Sequence, residues 1–107
     1  MNDSETSIRA KGAMICSAIE KRKLLRFLYD GKERVVAPYC HGISTKGGEV
    51  LRAVQLRGAS SSGTTGFGKL WSVTKVTDLR VLDENFVPND PNYNPNDRGM
   101  TQIHCRI

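Results

Sequence analysis

Leu25, Phe27 and Tyr29 alternate with Leu24, Arg26 and Leu28, the two-residue period of a strand with one face turned to a core. Asp30-Gly31 follows, a pair that supplies the positive φ angles of a short hairpin turn. Val35 and Val36 open the return strand, and Pro38 closes it or places it at a sheet edge. Upstream, Ile15, Ala18 and Ile19 form an i, i+3, i+4 stripe that predicts a helix over about 13–22. Lys21, Arg22 and Lys23 suit the negative end of that helix dipole. An earlier start, near Thr6 or Ser7, depends on whether the helix accommodates Gly12. Glu49 to Arg57 reads as a strand with Val50, Arg52, Val54 and Leu56 on one face and Leu51, Ala53, Gln55 and Arg57 on the other. Leu70 to Val76 and Leu79 to Leu82 read as two more, with Asp83-Glu84-Asn85 turning the chain before Phe86. Met100 to Ile107 returns to alternation, with Ile103, Cys105 and Ile107 on one face.

The organisation that follows is a flexible N-terminus over 1–12 and one domain over 13–107, mostly β, a small antiparallel barrel with an N-terminal helix. Gly58 to Gly68 is a Gly/Ser/Thr connection carrying Phe67; it lacks the Gly-Lys-Ser/Thr ending of a phosphate loop. An Asn/Pro-rich loop occupies 87–99, and 100–107 forms the terminal strand. The chain has 107 residues, enough for one core and too few for two. No apolar run approaches the roughly 20 residues that span a bilayer, and the N-terminus lacks the basic and apolar regions of a secretory signal. Three cysteines cannot all pair, so a reducing, cytoplasmic setting is the simpler expectation.

Charge narrows the choice of partner. Residues 1–58 hold eleven Lys or Arg against six Asp or Glu, while residues 59–107 hold five of each, so the whole formal charge of +5 sits in the first half. Such a surplus attracts anions, although it also serves solubility alone. Arg26, Arg34, Arg52 and Lys75 fall on strands that a small barrel brings together, and Arg57 ends one of them. An Arg grips phosphate bidentately and a Lys acts as a point charge. Tyr39 and Trp71 offer rings on which a base could stack. The plainer readings are an arginine stem covering the barrel rim and a tryptophan in the core. Cys40-His41 and His104-Cys105 together make a Cys2His2 set, but neighbours on a strand point to opposite faces, so neither pair gives two ligands to one ion. No metal, cofactor or catalytic motif is expected.

Four segments resemble the WYL domain family: Ala18 to Tyr29, Arg34-Val35-Val36-Ala37-Pro38-Tyr39, Gly48 to Ala53, and Leu70 to Val76 continuing through Leu79 to Asp83. At the place of the Trp-Tyr-Leu signature only Leu51 agrees, Glu49 and Val50 replacing the aromatics. Trp71 and Lys75 keep an aromatic and a basic position further on, whereas Ser72 and Thr74 replace an Arg and an Asp. The resemblance implies an SH3-like (Sm-like) barrel and a non-enzymatic regulatory domain. Its ligand would be a nucleotide or single-stranded nucleic acid, bound by Arg26, Arg34, Tyr39, Arg52, Arg57, Trp71 and Lys75. It further implies a role in transcription regulation, and the few residues before the hairpin leave a DNA-binding helix-turn-helix to a separate partner protein. The alternative is a protein-interaction or self-association module, with Phe67, Tyr93 and Pro95 as contact residues.

Overall fold

The computed structural model describes residues 3–58, 69–88 and 93–107. Helix α1 (Asp3–Lys21) leads into strands β1 (Lys23–Tyr29), β2 (Lys32–Ser44), β3 (Glu49–Gly58), β4 (Leu70–Ser72), β5 (Thr77–Asn85) and β6 (Met100–Arg106), with a 3₁₀ turn over Val73–Lys75. All strand pairings are antiparallel. The order across the sheet is β4-β3-β2-β1-β5, and β6 also pairs with β2. The architecture is therefore mostly β with one helix, as expected, but the sheet is not closed into a ring. The Gly/Ser/Thr connection after Gly58, with Phe67, lies outside the described residues, as does the stretch 89–92 of the tail.

β2 organises the molecule. One side pairs with β3 from Arg34↔Gly58 to Ile43↔Glu49. The other side pairs with β1 up to Val36 and with β6 from Cys40 onward. Pro38 sits at the handover between those two partners. The sequence reading placed this proline at the end of a strand or on an edge; instead it lies inside the longest strand. The missing N–H costs nothing where the chain has left one neighbour and not yet met the next. A register shift against β3 falls between Pro38 and Cys40.

The hairpin forms as its turn residues dictate. Asp30 and Gly31 have φ of 54° and 74°, the left-handed pair of a type I′ turn, and Tyr29 pairs with Lys32. The helix is longer than its apolar stripe alone indicated and already includes Asp3, within the stretch expected to be flexible. Gly12 is accommodated for a specific reason. A Cβ there would stand 3.2 Å from Cε1 of His41, so the absent side chain lets α1 lie over that imidazole. The strand expected over Leu70–Val76 is divided, its second half taken by the 3₁₀ turn, and β5 continues through Asp83–Asn85 where a turn was expected.

Both faces of the sheet are covered along β2. Toward α1, Ile15, Ala18 and Ile19 pack with Leu25, Phe27, Tyr29, Val36, Leu51, Ala53, Trp71, Val73 and Val76. On the opposite face Leu24, Val35, Ala37 and Tyr39 meet Phe86, Tyr93 and Ile107. This second core is where the described part of the tail docks. Arg52 donates two hydrogen bonds to Asp97, Nε to Oδ2 at 2.7 Å and Nη2 to Oδ1 at 2.9 Å, and Tyr93 Oη donates to the Ile107 carbonyl.

Candidate functional site

The arginines expected to form one basic face are mostly engaged with acids. Arg26 bonds both Glu33 (3.0 Å) and Asp78 (2.6 Å), which hold its guanidinium in the charged form. Arg57 pairs with Glu84 at the exposed surface. Arg52 is locked to Asp97, whose carboxyl is held below the usual range by those Arg52 hydrogen bonds and, to a lesser extent, by the Gly99 N–H. Gly99 is itself needed there, because a Cβ would crowd Leu70, Arg52 and Asp97. Tyr39 is 3% exposed and its ring lies between Phe86 and Tyr93, so in this arrangement it offers no face for stacking. Lys75 is exposed on the 3₁₀ turn and has no acidic partner among the described residues.

Arg34 and Trp71 differ from the rest. Trp71 is fully buried, donates Nε1–H to the Ala53 carbonyl, and contacts Phe27 and Tyr29 edge-on. Arg34 is 1% exposed, and its guanidinium carbon lies 5.6 Å from the Trp71 ring centroid. Its hydrogen bonds go to neutral acceptors and are long: Nη1 to Gln55 Oε1 at 3.3 Å and Nη2 to the Tyr29 carbonyl at 3.4 Å. Nε has no acceptor. No carboxylate pairs with Arg34 among the described residues. Lys69, at the surface, places its Nζ 4.4 Å from the same indole. Two cations thus share one aromatic ring, and the inner one lacks a carboxylate partner among the described residues. Lys69 and Gln55 carried no signal in sequence, since only the sheet brings them to Trp71.

A second cluster lies where α1 crosses β2 and β6. His41 stands directly opposite Cys105 in the β2–β6 register, and Cys16 reaches them from α1, four residues beyond Gly12. Cys16 and Cys105 form a disulfide with Cα atoms 5.6 Å apart. Three cysteines cannot all pair, but two of them do, where the sequence favours a reducing setting without a disulfide framework. The two cysteines are 89 residues apart in sequence, a separation that hides the pair from any spacing rule. His41 Nδ1 sits 3.6 Å from the Cys16 sulfur and 3.8 Å from that of Cys105. Its Nε2 faces Glu49 Oε2 at 2.7 Å, a close ion-pair contact, and neither atom has another hydrogen-bond partner. Burial lowers the His41 pKa, with Glu49 opposing. His104 Nε2 lies 3.6 Å from the other Glu49 oxygen. Cys40 points to the opposite face, where burial pushes its thiol up to about 11. Cys40 and His41 thus point to opposite faces, whereas the His104 ring lies 5.2 Å from that of His41. The cluster instead takes one member from each dipeptide and a third residue from the helix.

Comparison with known proteins finds no family model that matches the chain, no matching curated protein and no matching solved structure. Among the described residues, no helix is long and apolar enough to cross a membrane.

Proposed function

We propose that this chain is a non-enzymatic regulatory domain of the WYL kind, its curved sheet an SH3-like (Sm-like) barrel left open, that binds a phosphate-bearing ligand. The observation that carries the reading is Arg34, a buried guanidinium with no carboxylate among the described residues and an Nε without an acceptor. An arginine cannot shed its proton, and a buried charge without a partner is costly. A phosphate oxygen would replace two long bonds to neutral acceptors with charge-assisted ones. Lys69 adds the second cation at the surface, and the formal charge of +5 favours encounter with anions. The ligand class is a nucleotide or single-stranded nucleic acid, with Trp71, close to both cations, as the reporter. A cytoplasmic setting and a role in transcription regulation beside a separate DNA-binding partner belong to the same proposal. Arg26, Arg52 and Arg57 serve the fold first, each through its acidic partner.

Fluorescence anisotropy of labelled single-stranded oligonucleotides, competed with free nucleotides, tests this at low and moderate salt. Binding that weakens steeply with salt and falls about tenfold in Lys69→Ala supports the proposal. Competition by free nucleotide identifies the smaller ligand; its failure identifies the polymer. Affinity indifferent to salt and to Lys69→Ala contradicts the proposal.

A second reading, self-association, is favoured by the open sheet. β5 pairs only with β1 among the described residues, which leaves a nine-residue edge with Val81 exposed. Light scattering after size exclusion distinguishes it: a dimer at micromolar concentration favours edge pairing, and a monomer removes it.

A further inference from the structure

The cluster at the α1–β2–β6 crossing uses none of the residues invoked for anion binding, and its chemistry is of another kind. We propose that Cys16, His41 and Cys105 form a zinc site that exists only when the Cys16–Cys105 disulfide is reduced.

The donor set is two thiolates and an imidazole nitrogen, all within 4.8 Å of one another. With Zn–S near 2.3 Å and Zn–N near 2.0–2.1 Å, two ligands on a tetrahedral zinc stand about 3.6 Å apart. His41 Nδ1 already keeps 3.6 and 3.8 Å from the two sulfurs. Only the sulfur–sulfur bond must open. The outer shell has the matching form. An imidazole that binds zinc through one nitrogen presents the other to a carboxylate, and His41 Nε2 faces Glu49. That nitrogen is buried and without a hydrogen-bond partner, as is the Glu49 oxygen opposite it. Glu49 in turn approaches His104 through its second oxygen. Three protein ligands leave a fourth position for water. Gly12 keeps the helix clear of the ring, and Cys40, on the other face, takes no part.

The redox step balances with a low-molecular-weight thiol as reductant. Two such thiols give two electrons and two protons to the Cys16–Cys105 bond and leave joined as their own disulfide. Zinc then displaces the two cysteine protons to solvent and binds both thiolates. A low-molecular-weight disulfide reverses the sequence: it accepts two electrons from the thiolates and two protons from solvent, leaves as two thiols, and the ion is expelled as the Cys16–Cys105 bond reforms. Both states clip the helix to the last strand, one through sulfur and one through metal, and the two thiolates offset the two charges of the ion, so the fold and the net charge at the crossing persist while a water-accessible metal position is gained.

The test uses the full chain, oxidised or reduced by a phosphine, which takes up the oxygen of one water as it delivers two thiols. Cobalt(II) added without oxygen reports thiolate ligation through its sulfur-to-metal absorption, and zinc should displace it. The expected result is one cobalt per reduced chain with that absorption and none per oxidised chain. The absorption should vanish in Cys105→Ser and weaken at least tenfold in affinity in His41→Gln. Circular dichroism on the wild type supplies a readout free of variants: reduction should lower the melting temperature and one equivalent of zinc should restore it. Three results overturn the proposal: a reduced chain that takes up no metal, one that zinc does not stabilise, or an absorption that survives in the Cys16→Ser, Cys105→Ser double variant.

Discussion

Asp97 and Arg34 represent two ways of burying a charge. Asp97 has its partner, and Arg52 binds both of its oxygens. Removing one member of such a pair leaves the other uncompensated, so Asp97→Asn should cost roughly 3 kcal/mol by urea unfolding. The folded pKa of Asp97 is depressed, so its stabilisation is complete above the unfolded value of about 3.9 and is lost as pH falls through the folded value. Stability of the native chain should therefore decline below about pH 4, and the acid limb of Asp97→Asn should be shallower. Arg34 lacks a carboxylate partner among the described residues, and the expected sign reverses. Arg34→Met, of similar length and apolar, should leave stability within about 1 kcal/mol of the native chain or raise it. The same substitution should abolish anion binding. A large loss of stability in Arg34→Met would mean that its contacts with Gln55, Tyr29 and Trp71 suffice, and that the residue serves the core.

At the scale of elements, β2 shows what a sequence discloses and what it withholds. Its hairpin with β1 was legible because Asp30-Gly31 and the alternation of Leu25, Phe27 and Tyr29 are local signals. Its passage through Pro38 was not, because the missing N–H matters only in relation to partners found elsewhere in the chain. Likewise nothing local to Gly42 in sequence marks a close strand approach. A Cβ at that position would meet the backbone oxygen of Gln102, so β6 approaches β2 as closely as it does only because Gly42 has none. Gly42→Ala should force the two strands apart, at a cost of about 3 kcal/mol, visible as faster amide exchange in Met100–Arg106. Exchange unchanged from the native chain would show that the strand shifts without losing its pairing.

At the scale of the whole molecule, the ends of the chain are tied to each other and to the sheet. The disulfide closes a loop of 89 residues, which in a chain-entropy model contributes about 4–5 kcal/mol. Reduction without metal should lower the unfolding free energy by that order, measured by denaturant titration with and without reductant. A smaller effect would mean that the apolar contacts of α1 and β6 already hold the ends together. The sequence could not disclose this link, since nothing local marks Cys16 as the partner of Cys105 rather than of Cys40. Charge counting likewise located the basic half of the chain but not which cations are engaged. Arg26, Arg52 and Arg57 meet their acids only through pairings 7 to 52 residues distant.

The central claim, an anion site beside Trp71, is open to direct measurement because Trp71 is the only tryptophan in the chain. Its emission should be recorded while a nucleoside triphosphate, a short single-stranded oligonucleotide and inorganic phosphate are each added at low salt. A saturable change for at least one of them, reversed by salt and absent in Arg34→Met, is the predicted result. Emission that stays constant for all three, in a chain shown by circular dichroism to be folded, would contradict the account.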